Sequence, residues 1–171
     1  MSPGGPDWAI APLSRHHDRA GFTCGDPALD RYLRELSGQD AKRNLASPFV
    51  LTRDSDPKVA GYYTLSAQVV ELAALPPHAA HQLPGYPSVP ATLLGRLAVA
   101  LAHQKQGLGG VLLRDALQRA ATVAEQVASY CVVVDALPPA VAFYGRLGFI
   151  QLPGRPDRLF LPMTIIRKTL T

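Results

Sequence analysis

The sequence predicts an α+β fold in which one sheet carries helices on both faces. Three observations carry that expectation. The chain has 171 residues, 47% hydrophobic and 18% charged, so it can bury one real core and is too apolar for a disordered tail. Runs of β-branched and aromatic residues alternate with runs at helical spacing, in the order β-α-α-β-β-β-α-β-α-β-β. No internal repeat and no Gly/Ser linker interrupts the chain, which therefore reads as a single domain over residues 1–171.

Residues 8–13 (WAIAPL) read as a short edge strand, because Pro12 cannot donate to a ladder. Asp26-Pro27 is an N-cap followed by proline in the first turn, and Leu29, Tyr32, Leu33 and Leu36 recur at helical spacing behind it. A second helical piece is expected from Gln39 to Leu45. Phe49–Arg53 and Val59–Val70 form a hairpin around Asp54-Ser-Asp-Pro57. The proline-rich stretch 75–90 is an ordered connection, and Leu93–Val99 is a buried strand. A wide apolar face from Val111 through Leu112, Leu113, Ala116, Leu117, Ala120 and Val123 to Val127 predicts a long helix starting at Gly109. Tyr130–Val134 suits a central strand, and Pro138-Pro139 opens a helix that Gly148 closes. Phe149–Leu152 and Leu159–Ile166 are expected as closing strands around a Gly-Arg-Pro-Asp turn.

Charge is distributed unevenly. Residues 1–60 carry eight basic and eight acidic side chains, residues 61–100 only Arg96 and Glu71, and residues 101–171 eight basic against four acidic. The net +4 thus lies in the last part of the chain, which suits an anionic partner docking there. Cys24 and Cys131 stand in no metal-ligand or disulfide-framework spacing, which fits a reducing, cytoplasmic setting. Met1–Asp7 has neither the basic start nor the apolar run of a secretory leader, and prolines divide the uncharged stretch 72–95, so no membrane span is expected. His16, His17, His78, His81 and His103 form no metal-ligand pattern, and no metal is expected.

The segment richest in chemistry is Gln104-Lys105-Gln106-Gly107-Leu108-Gly109-Gly110, between a buried strand and a long amphipathic helix. Glycines let the backbone approach a ligand, and a helix start offers unpaired N–H groups at the positive end of a dipole, so a phosphate is the expected guest. A P-loop would need Gly-Lys-Ser/Thr, and a dinucleotide fingerprint a third glycine where Leu112 stands. What remains is Gln-x-x-Gly-x-Gly.

That loop resembles the Arg/Gln-x-x-Gly-x-Gly/Ala pyrophosphate loop of the GNAT superfamily of N-acetyltransferases. The preceding Leu94-Gly-Arg-Leu-Ala-Val99 and the later Ala142-Phe143-Tyr144 and Gly148-Phe149 follow in that family's order. Further stretches resemble the acetyltransferase toxins of type II toxin–antitoxin modules. They include Cys24-Gly25, Leu29-Asp30, Tyr32-Leu33, Gln39-Asp40 with Lys42-Arg43, and Gly61-Tyr-Tyr-Thr-Leu-Ser66. Leu83-Pro84, Tyr86-Pro87, Val89-Pro90 and Asp115-Ala116-Leu117 with Arg119 extend the likeness over roughly residues 20–150. The resemblance implies a mixed, mostly antiparallel sheet of about six to seven strands. It also implies acetyl-CoA as co-substrate, held by main-chain groups near Leu97 and Val99 and by Gln104, Lys105, Gln106, Gly107, Leu108, Gly109 and Gly110. Two departures are visible. Gln104 stands where many relatives have arginine, and Ala100 where the toxin branch has aspartate after Leu-Ala-Val.

The same resemblance makes Tyr144 the candidate catalytic residue, a phenol protonated at neutral pH that can donate to a departing thiolate. Glu71 and Asp135 are candidate bases by position near strand ends, although an α-amine of pKa about 7.7–8.0 needs none. The implied substrate is the α-amino group of aminoacyl-tRNA, whose acetylation would stop peptide-bond formation. Lys42, Arg43 and Arg96 are the candidate substrate-binding residues, and Arg146, Arg155, Arg158, Arg167 and Lys168 form a second basic group. Arg96 is either paired within the fold or aimed at a phosphate or ribose. The implied partners are a ribbon-helix-helix antitoxin and a second copy of the chain. Two alternatives keep part of this reading: acetylation of a small-molecule or protein amine, and a non-catalytic acetyl-CoA-binding module.

Overall fold

The computed structural model describes residues 7–171, so the segment read for a secretory leader lies almost wholly outside the described residues. Seven strands join one sheet in the order β1-β2-β3-β4-β5-β7-β6: β1 Trp8–Pro12, β2 Ser47–Arg53, β3 Gly61–Glu71, β4 Ser88–Val99, β5 Cys131–Asp135, β6 Ile150–Leu152 and β7 Arg155–Pro162. The pairs β1–β2, β2–β3, β5–β7 and β6–β7 are antiparallel, and β4–β5 is parallel, Ala91 facing Cys131 and Leu94 facing Val134. The sheet is mixed and mostly antiparallel, as expected. The helices are α1 Pro27–Arg31, α2 Ser37–Lys42, α3 Pro77–Ala80, α4 Leu108–Ala124, α5 Pro138–Arg146 and α6 Met163–Leu170.

The chain forms two compact units, residues 1–66 with 96–116 and residues 67–95 with 117–171. In the first, β1 forms an edge of the sheet, as its proline predicts. Asp26 caps α1 by accepting from the N–H groups of Ala28 and Leu29, at 2.9 and 3.2 Å. Beyond Arg31 the helix widens into a π turn, Tyr32–Leu36, closed by the Ser37 N–H on the Tyr32 carbonyl. Helical spacing alone places Leu36 on the buried side. The extra residue of the π turn instead leaves Leu36 37% exposed and seats Ser37 in the core, its Oγ donating to the Leu33 carbonyl at 2.7 Å. Arg19 also donates to that carbonyl, at 3.0 Å, and to Ser37 Oγ, at 2.8 Å. The second helical piece therefore occupies Ser37–Lys42 rather than Gln39–Leu45. Phe22, Tyr32, Leu33, Val50, Val59, Tyr62 and Ala98 form the core of this unit.

In the second unit, Val70, Leu75, Ala79, Val89, Ala91, Cys131, Val133, Leu152 and Phe160 pack together. A short 3₁₀ turn, Leu72–Ala74, precedes the proline-rich connection, which holds α3. β4 begins at Ser88, well ahead of the expected Leu93. Pro90 lies within it, but the ladder to β5 starts only at Ala91, so the missing proline N–H costs no bond there. The apolar face assigned to the long helix is narrower than its composition suggests. Leu112, Leu113, Ala116, Leu117, Ala120 and Ala121 are buried, while Val111, Val123 and Val127 are exposed. The expected strand Leu159–Ile166 is corrected at its second half. Pro162 ends β7 and caps α6, which buries Met163 and Ile166 at helical spacing and leaves Ile165 exposed.

Candidate active site

The glycine-rich loop belongs to the first unit. After β4, Ala100 N–H donates to the Ala60 carbonyl and Leu101 N–H to Thr23, both at 2.8 Å, and a 3₁₀ turn covers Leu101–His103. Lys105 at φ 65° and Gly107 at φ 80° then turn the backbone left-handed. A side chain at 107 would be strained there, which explains its glycine. A Cβ built at Gly107 or Gly110 meets no atom within 4 Å, so the backbone lies open on that side. α4 starts at Leu108, and its first-turn N–H groups at Leu108, Gly109 and Gly110 have no carbonyl one turn back within the helix. Val111 is the first to close a turn, on the Gly107 carbonyl at 3.3 Å. An uncovered backbone with unpaired N–H groups at a long helix start fits a pyrophosphate.

Gln104 takes a different place from the one expected. Its Nε2 donates to the Cys24 and Val99 carbonyls, each at 2.8 Å. Both its donors are committed to the backbone, so it fixes the loop to the end of β4. Lys105 and Gln106 are exposed, and Leu97 and Val99 are half-buried on β4. A cavity of about 340 Å³ in the same unit is lined by Phe22, Thr23, Arg53, Lys58, Ala100 and His103 among others, and none of the predicted site residues lines it.

Arg96 alternates with Leu97 along β4 and shares the face of buried Ala98. Its Cζ lies 3.5 Å from the centre of the Tyr32 ring, and Tyr32 Oη donates to Asp40 Oδ2 at 2.8 Å. No described carboxylate pairs with Arg96. Burial, and then the bond to Asp40, push Tyr32 up to about 12 against the pull of Arg96. Sequence reasoning missed Tyr32 and Asp40 as partners of this cation, since only the fold brings α1, the π turn and β4 together. Lys42 and Arg43, at the C-terminal end of α2, are exposed.

Tyr144 lies in the second unit, on α5, which opens on Pro138-Pro139 and closes at Gly148 with φ 98°. Its ring is buried, edge-on to Phe143 and Phe149 at centroid distances of 5.1 and 5.5 Å. Tyr32, Tyr62 and Tyr63 each donate their hydroxyl to a named acceptor, Asp40, the Leu29 carbonyl and Asp115. The Tyr144 hydroxyl has no such partner among the described residues. No buried side-chain oxygen is left unsatisfied there either, so this hydroxyl opens to solvent from a buried ring. Burial pushes Tyr144 up to about 12. Asp135 is unsuited to act as a base, because Arg158 holds both its oxygens at 2.7 and 2.9 Å. Arg155 lies 3.3 Å from Asp157, so two members of the C-terminal basic group already have partners.

Among the described residues no group of three His, Cys, Asp or Glu side chains is placed to hold a metal, and no helix is long and apolar enough to cross a membrane. Cys24 and Cys131 are free thiols, raised by burial to about 11 and about 12. Groups with raised folded pKa values stabilise fully below their unfolded pKa and lose that contribution as pH rises toward the folded value. Stability should therefore hold through pH 8, fall from about pH 9 as unfolded thiols ionise, and fall further above about 10 as unfolded phenols do. Urea midpoints between pH 7 and 10.5 read this directly, and a flat series to pH 10.5 would contradict it.

A family model described as the acetyltransferase (GNAT) family matches residues 13–149. The chain belongs to the GNAT acetyltransferase family. This GNAT chain is 32% identical over 170 residues to a probable toxin TacT of Sinorhizobium fredii, covering 94% of each. It is 36% identical over 152 residues to a tRNA-acetylating toxin of Mycobacterium tuberculosis, covering 88% of this chain and 89% of that one. The structure of AtaT complexed with acetyl-methionyl-tRNAfMet matches with TM-score 0.89 at 32% identity, over 96% of this GNAT chain and 100% of AtaT. The crystal structure of AtaTR bound with AcCoA matches with TM-score 0.81 at 28% identity, over 96% and 99%.

Proposed function

We propose that this protein transfers the acetyl group of acetyl-CoA to the α-amino group of aminoacyl-tRNA, as the translation-blocking toxin of a toxin–antitoxin module. The observation that carries the reading is its 36% identity, across 88% of its length, to a tRNA-acetylating toxin. The match to AtaT complexed with acetyl-methionyl-tRNAfMet supports the same substrate. Residues 1–171 act as one acetyltransferase domain. The partners are aminoacyl-tRNA and an antitoxin of ribbon-helix-helix type, the active form is a homodimer, and the setting is cytoplasmic.

Main-chain N–H groups from Gln106 to Gly110 hold the pyrophosphate of acetyl-CoA, and main-chain groups of Leu97 and Val99 meet the pantetheine amides. Acetyl-CoA supplies an activated thioester, from which the amine displaces the thiolate. Tyr144 donates a hydrogen bond to the departing sulfur. The thiolate of a thiol with reference pKa about 8.5 is a weaker base than the phenolate of a Tyr144 raised to about 12. The phenol therefore stabilises the sulfur chiefly as a donor. The net proton comes from the amine nitrogen, which turns acidic on attacking the carbonyl and must lose a proton to give the amide. An α-amine is substantially neutral near pH 7–8, so no carboxylate base is required. Lys42, Arg43 and Arg96 contact the polynucleotide.

Purified protein given labelled acetyl-CoA with charged and uncharged tRNA, then digested with RNase, should yield labelled N-acetylaminoacyl-adenosine from the charged pool alone. If charged tRNA stays unlabelled while a polyamine, an amine drug or a protein takes the label, the substrate assignment is wrong. Antitoxin-free expression should halt translation in the same framework.

A further inference from the structure

Arg96 is the one formal charge between Leu72 and Val99, and its setting is unusual for a strand arginine. Its guanidinium sits over Tyr32, with Cζ 3.5 Å from the ring centre, and neither donates a hydrogen bond to any described residue nor joins an ion pair. No side-chain nitrogen of the described residues is both buried and unsatisfied, so its N–H groups reach water beside the Tyr32 ring. Tyr32 is held in turn. It sits in the π turn, buried, with its hydroxyl on Asp40. Asp40 lies in α2, which ends at Lys42 and Arg43, two exposed cations without described ion pairs. One aromatic side chain thus ties a half-buried, oriented guanidinium to an exposed basic helix end.

A planar fork held over an aromatic ring, with N–H groups that no protein acceptor uses, suits an anion that accepts two parallel hydrogen bonds. Resting on the aminoacyl-tRNA reading, the choice of anion follows from chemistry. The carboxyl group of the substrate amino acid is esterified, so it carries no charge. The negative group nearest the reacting amine is then the phosphodiester that joins the terminal nucleoside to the rest of the strand. We infer that Arg96, set on Tyr32, grips that last phosphodiester, while Lys42 and Arg43 meet phosphates farther from the ester. Arg96 is thereby the residue that distinguishes an amino acid on a nucleic-acid end from other α-amines.

The test compares two aminoacylated trinucleotides, identical except that one carries an uncharged methylphosphonate at the last linkage. Wild-type enzyme should use the phosphodiester with kcat/KM about 10–100-fold above the methylphosphonate, the scale of one charge-assisted bidentate pair. Arg96→Gln should use both at the same low rate, with unchanged acetyl-CoA affinity and a cooperative thermal transition. Arg96→Lys, which keeps charge without the fork, should recover only part of the difference. The assignment is overturned if Arg96→Gln still prefers the phosphodiester, or loses equally on both. It is also overturned if the variant keeps both rates and loses only its grip on an acidic antitoxin segment. If wild-type enzyme acetylates charged tRNA but ignores the linkage charge, only the Arg96 assignment fails. If it acetylates no aminoacyl ester at all, the substrate reading fails and this one with it.

Discussion

Replacing Tyr144 with phenylalanine should lower turnover by about 10²-fold or more, within the usual range for loss of a donor to a leaving group. The substitution removes one oxygen from a hydroxyl that no described residue uses, so the fold loses no internal hydrogen bond. The ring contacts to Phe143 and Phe149 survive, and stability should hold. The interaction is made with sulfur only as charge develops on it. Hence kcat and kcat/KM should fall together, while acetyl-CoA affinity stays put. The pH profile offers a second reading. A phenol raised to about 12 remains a donor through pH 10, so removing it should lower the whole profile without shifting an alkaline limb. A near-wild-type rate in Tyr144→Phe, with chemistry shown to limit turnover, would remove this residue from its role.

Gly109→Trp should cost acetyl-CoA at least about 100-fold in affinity, which is some 2.7 kcal/mol. Gly109 stands in the first turn of α4, among the unpaired N–H groups assigned to the pyrophosphate. An indole there would occupy the approach to those groups, whereas Gly109→Ala adds a single methyl and should cost far less. Isothermal titration of acetyl-CoA against the folded variants decides the matter. Unchanged affinity in a folded Gly109→Trp protein would mean the cradle lies elsewhere.

Both of these candidate residues can be named from the sequence because their signals are local. A Gln-x-x-Gly-x-Gly run before an apolar-faced helix and a Phe-Tyr pair before Gly-Phe carry their meaning within a few positions, and the comparisons bear out the acetyltransferase reading. What escaped is non-local or turns on a single residue. Gln104 looks like a ligand until Cys24, far away in the chain, is seen accepting from its amide. Asp135 looks like a base until Arg158 closes on it from the neighbouring strand. Leu159–Ile166 is apolar throughout, and only Pro162 marks where period two gives way to period 3.6. The π turn leaves no composition signal, since Tyr32–Leu36 has ordinary helix-forming residues.

That π turn amounts to a spare residue in an otherwise helical path from Pro27 to Lys42. Deleting one residue within it would restore an unbroken α-helix, locally more regular, yet would swing everything downstream about 100° around the axis. Ser37 would part from Leu33, Asp40 from the Tyr32 hydroxyl, and the basic end of α2 would point elsewhere. The wider turn therefore acts as a phase shifter, setting the angle at which cations face outward relative to a cation anchored on the sheet. A chain shortened by one residue here should keep its acyl-donor affinity and change which polynucleotide it accepts.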